Sequence, residues 1–293
     1  MPEGDTVWRT AERLDKALSG RPLTTCDIRV PQWAEVDLTG RPVVETVSRG
    51  KHLLTRFEQV TLHTHLKMEG SWHIYPVGSA WRSPAFQARV VLATESWQAV
   101  GFRLGTVDVV SRDDEHTVVG HLGPDLLGAD WSIDEAARRV CSLPDRPVGE
   151  ALLDQRNLSG VGNMYKAEVC FLLGVHPDTP VGQVDVVPQL LDKAHRLLVL
   201  NKDRAEQTTT GNTRRGHRLW VYRRAGQPCR RCGTRILADT FPTSDDLLHG
   251  VASRGALQST PPNRRSARQP SAVDRPSEAR VSFWCPSCQP SPT

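Results

Sequence analysis

The 293-residue chain is 38% hydrophobic and 24% charged, ordinary globular values in a chain long enough for two domains. No run approaches the roughly 20 apolar residues of a membrane span, and the N-terminus lacks the basic-then-apolar pattern of a signal peptide. No membrane partner is therefore expected, and the cytoplasm is the expected compartment. The net charge of +4 is uneven: between Gly250 and Arg280 six arginines face two acids, and Arg214 to Arg235 holds eight arginines and no acid. A concentration of this kind is the footprint of a phosphate-binding surface.

In chain order, Val7, Ala11, Leu14 and Leu18 give one apolar helix stripe behind Pro2 and Glu3, with Asp5 or Thr6 as the expected cap. Residues 24–110 then read as short strands, TTCDIRV, VVETVS, KHLLTRF, VTLHTHL, SWHIY, FQARVVLAT, WQAVGF and TVDVVS, separated by Gly, Pro and polar turns. Many short strands in series predict an antiparallel sandwich or barrel. HLGPDLLGAD reads as a connector. Ser132 and Glu135 stand in capping-box spacing before a helix, and GEALLD, NMYKAEVCFLL and VPQLLDKAHRLLVLN continue a helical region. Residues 239–279, rich in Pro, Ser and Arg, read as a disordered insertion.

The strongest chemical signal is GQPCRRCG paired with FWCPSCQ. Cys229, Cys232, Cys285 and Cys288 match a tetrahedral structural zinc site, one ion, although 52 residues separate the two CxxC turns. Closure entropy grows slowly with loop length, so the insertion can loop out of an intact site. Cys26, Cys141 and Cys170 read as small apolar core residues. In NLSGVGNMY, Gly160 and Gly162 leave backbone N–H groups free to meet a phosphate at a helix start, where Asn163 can cap the helix or donate to the ligand. Lys51 follows a glycine turn in SRGKHLLTRF. His63 and His65 share a strand face with no evident third metal ligand, and read as polar residues lining a site.

The order of these features, PEG at 2–4, RGKHLL at 49–54, THLKMEGSW at 64–72, LSGVGNMYKAE at 158–168 and the paired CxxC, resembles the formamidopyrimidine-DNA glycosylase and endonuclease VIII family of base-excision repair enzymes. The PEG start and GFRLG are more like the endonuclease VIII branch. The resemblance implies an α+β chain. An N-terminal antiparallel β-sandwich with a leading helix (1–120) and a linker (121–133) precede a helix-two-turn-helix domain (134–219) and a C-terminal zinc finger with its insertion (220–293). It implies damaged DNA as partner and a monomeric enzyme.

The same resemblance assigns Pro2, freed of Met1, as the nucleophile at C1′ of the damaged nucleoside, forming a Schiff base. Glu3 would be the acid that helps open the sugar, and β,δ-elimination would then cut the strand. Lys51 and Arg280 would contact phosphate and assist catalysis, Asn163 would hold a phosphate, and Met68 would fill the space left by a flipped base. Thr6, Phe102 and Leu104 depart from the formamidopyrimidine branch, and the Thr208–Trp220 stretch is short for its purine-recognition loop. The departures favour oxidised pyrimidines, or a preference for single-stranded or bubble DNA, over the alternative of 8-oxoguanine and formamidopyrimidine. A non-catalytic lesion-binding zinc-finger protein is the rival from another class.

Overall fold

The computed structural model describes residues 2–241 and 280–292, so most of the 239–279 insertion lies outside the described residues. Helix α1 (Gly4–Leu18) turns Val7, Ala11, Leu14 and Leu18 inward as its spacing predicts. The expected cap is corrected: the cap position is Glu3, without a side-chain capping bond, while Asp5 is buried.

Eight strands follow, β1 (Thr25–Ile28), β2 (Glu45–Arg49), β3 (His52–Arg56), β4 (Val60–His65), β5 (Ser71–Pro76), β6 (Ala88–Ala93), β7 (Trp97–Phe102) and β8 (Thr106–Ser111). They form two antiparallel four-stranded sheets, ordered β1-β6-β7-β5 and β2-β3-β4-β8. Alternating residues of both sheets, among them Leu53, Leu62, Val90 and Leu92, share a core with α1. A short helix, α2 (Glu115–Val119), follows; its five residues are too few to carry a helical period.

The connector is stitched to the helical region rather than hanging between two bodies. Gly123 N–H donates to the Gln155 carbonyl (2.8 Å), Ser159 N–H to Pro124 (2.9 Å) and Leu126 N–H to Ser159 (3.2 Å). Helix α3 (Ile133–Val140) begins as predicted, with the Glu135 N–H donating to the Ser132 hydroxyl (3.3 Å). Then come α4 (Val148–Leu153), α5 (Asn163–Leu173) and α6 (Val187–Asn201). Tyr165, Phe171, Leu191 and Leu198 anchor a second core that extends to Cys229 and Cys285.

Strands β9 (Leu237–Phe241) and β10 (Arg280–Trp284) pair antiparallel, so residues 239–241 belong to a strand and the insertion leaves from its end. Of the lone cysteines, Cys170 is buried and Cys26 half-buried, but Cys141, at the end of α3, is exposed and not a core residue. Among the described residues no helix is long and apolar enough to cross a membrane.

Candidate active site

The start of the chain is inserted into the helical domain. The Gly4 N–H donates to the Gly160 carbonyl (2.9 Å), and a Cβ on Gly4 would lie 2.9 Å from the Gly160 Cα, so glycine is what permits the approach. This contact delivers the Glu3 carboxyl, wholly buried, to the N-terminus of α5. Its Oε2 accepts from Gly162 N–H (2.7 Å) and Tyr165 N–H (3.3 Å), and its Oε1 from Met164 N–H (2.7 Å). A Cβ on Gly162 would stand 2.4 Å from the Glu3 Cδ.

The expected guest of this helix start is thereby corrected. The α5 amides that would meet a phosphate hold the chain's own carboxyl instead, and the Gly160 N–H is taken by the Gln155 side chain (3.1 Å). Orphan N–H groups and the helix dipole favour any anion that can reach them. Burial nevertheless wins on protonation: it raises the Glu3 pKa above the ordinary carboxyl value, against the charge of Lys51 and the amides, which lower it.

Lys51 is placed by the tight β2–β3 hairpin, whose turn is Gly50–Lys51. The Gly50 N–H donates to the Asp125 Oδ2 (2.7 Å), and Asp125 Oδ1 accepts from Leu127 N–H (3.0 Å), so a buried carboxylate of the connector fixes the lysine turn. Arg49 also binds the connector, through Asp130 and the Gly123 carbonyl. Pro2, half-buried, adjoins Glu3. The structure thus brings Pro2, Glu3 and Lys51 to one place.

Asn163, the first residue of α5, directs its Nδ2 to the Val281 carbonyl of β10 (2.7 Å), and the neighbouring Lys166 ammonium donates to the Ser282 hydroxyl. Both hold the zinc-finger strand against α5. Arg280 begins that strand, but its side chain lies outside the described residues. Met68 is 44% exposed at the tip of the β4–β5 turn, beside Lys67 with φ of 50°, and so is no core methionine.

The sulfurs of Cys229, Cys232, Cys285 and Cys288 lie within 4.8 Å of one another, with Cys229–Cys288 at 3.9 Å, Cys232–Cys285 at 3.4 Å and Cys232–Cys288 at 3.5 Å. A tetrahedron with roughly 2.3 Å metal–sulfur bonds has edges of about 3.8 Å, so the four thiols fit a metal ion.

His63 and His65 are joined by His52 from the adjacent strand and by His121. The His52 Nδ1 and His63 Nε2 are 2.8 Å apart, and the His63 Nδ1 lies 3.3 Å from an Asp108 oxygen. Burial and neighbouring basic groups lower the His52 pKa to about 3 and that of His65 to about 4.

Residues 1–120 match the formamidopyrimidine-DNA glycosylase N-terminal domain and residues 122–199 its H2TH domain. The chain is 47% identical to the probable endonuclease 8 2 of Streptomyces coelicolor, over 100% of this chain and 95% of the relative. It is 44% identical to the DNA-(apurinic or apyrimidinic site) lyase Nei2 of Mycolicibacterium smegmatis, over 99% of each.

The chain belongs to the formamidopyrimidine-DNA glycosylase and endonuclease VIII family.

That family is one of DNA-repair glycosylases and lyases, and the fold agrees with it. The Lactococcus lactis Fpg bound to abasic-site DNA superposes with a TM-score of 0.73 at 19% identity, over 99% of this chain and 100% of that one. The MutM complex with DNA containing carbocyclic 8-oxo-G gives a TM-score of 0.73 at 20% identity, with the same coverage. The motifs contain His52, Tyr165 and Glu168 but do not announce their partners, and Asp5, Asp125 and Gln207 lie outside the motifs; Tyr165 meets Asp5 across 160 residues and Gln207 meets it across 202.

Proposed function

We propose that the chain excises oxidised bases, pyrimidines foremost, from DNA and cleaves the resulting abasic site, with Pro2 as nucleophile once Met1 is removed. The supporting observation is the buried Glu3 carboxyl, gripped by the α5 amides beside Pro2 and facing the charge of Lys51. With Met1 attached the Pro2 nitrogen is a tertiary amide. Freed, it is a secondary amine whose lone pair can attack C1′ as the C1′–base bond breaks, the amine's proton leaving with the base; the ring oxygen then takes a proton from Glu3 and its bond to C1′ breaks, giving an iminium. Loss of a C2′ proton then breaks the bond to the 3′ oxygen, and a second elimination breaks that to the 5′ oxygen. A terminal amine ordinarily titrates near 7.7–8.0, and proline's more basic amine must be lowered toward that range to be neutral. Glu3 has the opposite need, and its raised pKa serves it.

In this proposal Lys51 and Arg280 contact phosphates around the lesion, Asn163 contributes at the α5 start, and Met68 enters the space of the flipped base as an exposed apolar wedge. Cys229, Cys232, Cys285 and Cys288 would hold one structural zinc ion, which on binding joins the two halves of the finger. The working division is 1–120, 121–133, 134–219 and 220–293, in a monomer acting on chromosomal DNA.

Borohydride reduction tests the nucleophile. Protein shown by mass spectrometry to lack Met1 should form a covalent adduct with oligonucleotides bearing an oxidised pyrimidine, and Pro2→Gly should reduce it severely. An undiminished adduct from Pro2→Gly rejects the assignment, and lesion binding without nicking supports the non-catalytic rival.

A further inference from the structure

Asp5 has no part in the chemistry described so far, yet its carboxylate is buried in the same interface as Glu3 and its two oxygens are fully engaged. Oδ1 accepts from the Gln207 amide at 2.8 Å; Oδ2 accepts from the same nitrogen at 3.0 Å and from the Tyr165 hydroxyl at 3.1 Å. Tyr165 therefore grips both acids at once, its N–H on Glu3 and its O–H on Asp5.

Gln207 comes from the far side of the site. It precedes a loop closed by the Thr209 and Thr210 N–H groups on the Arg218 carbonyl (2.9 and 3.2 Å), which carries the exposed Arg214 and Arg215. The first turn of α1, the start of α5 and this basic loop thus meet at one carboxylate. All three bonds it accepts are from neutral groups, the Gln207 amide and the Tyr165 hydroxyl.

We propose that Asp5 is a positioning residue for the catalytic acid: it locks the first turn of α1 to Tyr165 and to the basic loop, and by taking the first negative charge of the pair it keeps the proton on Glu3. This inference rests on the reading of Glu3 as the acid. Two carboxyls in one buried site do not both ionise readily, and burial weighs most against the charge of the more enclosed one. Burial raises the pKa of both; at Asp5 it is opposed by the Gln207 and Tyr165 side-chain donors, whereas Glu3, the more deeply buried, is opposed by Lys51 and its backbone amides. The charge of Asp5 acts on Glu3 in the required direction, raising its pKa, with the Lys51 ammonium opposing it from the β2–β3 turn. Around Asp5 the other ionisable groups are Arg9 of α1, which favours its charged form, and the Tyr165 phenol, itself held far above its ordinary pKa by burial and by both acids.

The test is the pH profile of single-turnover base excision, read alongside borohydride trapping, in wild type, Asp5→Asn and Gln207→Leu. In Asp5→Asn the Glu3 proton is lost without a neighbouring charge, so the alkaline limb of the excision profile should move about one pH unit toward acid. Pro2 is untouched, so an adduct still forms. Gln207→Leu, which removes a donor and leaves the carboxylate, should move the limb in the same direction by less, and covers the case in which Asp5→Asn does not fold. Profiles that superpose on wild type after scaling, with adduct formation intact, overturn this inference alone. Wild-type protein that forms no adduct overturns the reading of the active site and this inference with it.

Discussion

Two glutamates, Glu3 and Glu168, share one chemical arrangement in this molecule and differ in what surrounds it. Both are wholly buried, both accept three backbone N–H groups, and burial raises both pKa values. Glu3 receives its donors from the start of α5. Glu168 projects from the same helix and collects Trp220, Val221 and Tyr222 N–H at 2.8–2.9 Å, together with the Thr209 hydroxyl. The four partners of Glu168 are neutral and belong to the two ends of the 209–222 loop, so the carboxylate acts as a staple. Glu3 adjoins Pro2, feels the charge of Lys51 and shares Tyr165 with Asp5. A buried carboxyl with saturated oxygens is thus not a functional signal by itself; what sets Glu3 apart is the terminal Pro2, the nucleophile of the proposal, adjoining it.

The sharpest way to break the comparison is to neutralise each acid. Glu3→Gln and Glu168→Gln both turn an NH₂ group toward N–H donors, and each should cost about 2–3 kcal/mol of stability. Only Glu3→Gln should also lose base excision, by roughly 10²–10⁴-fold, measured as single-turnover rates at a temperature where both variants are folded. Equal losses of activity would put Glu168 into the chemistry or take Glu3 out of it.

Gly162→Ala narrows the question to geometry, since the added Cβ meets the Glu3 Cδ at 2.4 Å and little else in the site changes. Overpacking of this kind costs about 1–3 kcal/mol, and displacement of Glu3 should lower excision more than it lowers DNA binding. A variant with unaltered excision rate shows that the carboxyl need not sit on the α5 amides.

The smallest effect lies away from both glutamates. His52 and His65 titrate near 3 and 4 in the folded chain and near 6.5 when unfolded, so the unfolded state takes up protons first as pH falls. Their contribution to stability is complete above about pH 6.5 and is lost progressively down to about pH 4 for His65 and about pH 3 for His52. Thermal melts of wild type and of a His52→Gln, His65→Gln double variant at pH 7.5, 6 and 5 should show wild type losing more stability on acidification. Parallel curves reject this account of the cluster.

Legibility in the sequence follows the range of the interactions. Helices α5 and α6 and the eight strands were readable because periodicity and turn residues are local. The four cysteines were readable because each CxxC is a local unit and only their meeting is long-range. Asp5 reads locally as a helix cap because acids suit first turns, and nothing nearby announces its partners Tyr165 and Gln207. The α5 start was misread for a related reason: a glycine-containing loop before a helix advertises an anion site, and the sequence does not say that Glu3, some 160 residues earlier, fills it. His52 stands out only once β3 pairs with β4 and sets it against His63 and His65.

The insertion of Glu3 and Asp5 into a pocket built by residues 160–207 also bears on biosynthesis. Translation yields the N-terminal end first, but its binding groove leaves the ribosome only after about two hundred further residues, so that end waits for its partners. A nascent or truncated chain lacking the groove would leave Glu3 solvated at an ordinary carboxyl pKa, so under the proposed mechanism it would have no protonated acid beside Pro2 until synthesis is nearly complete.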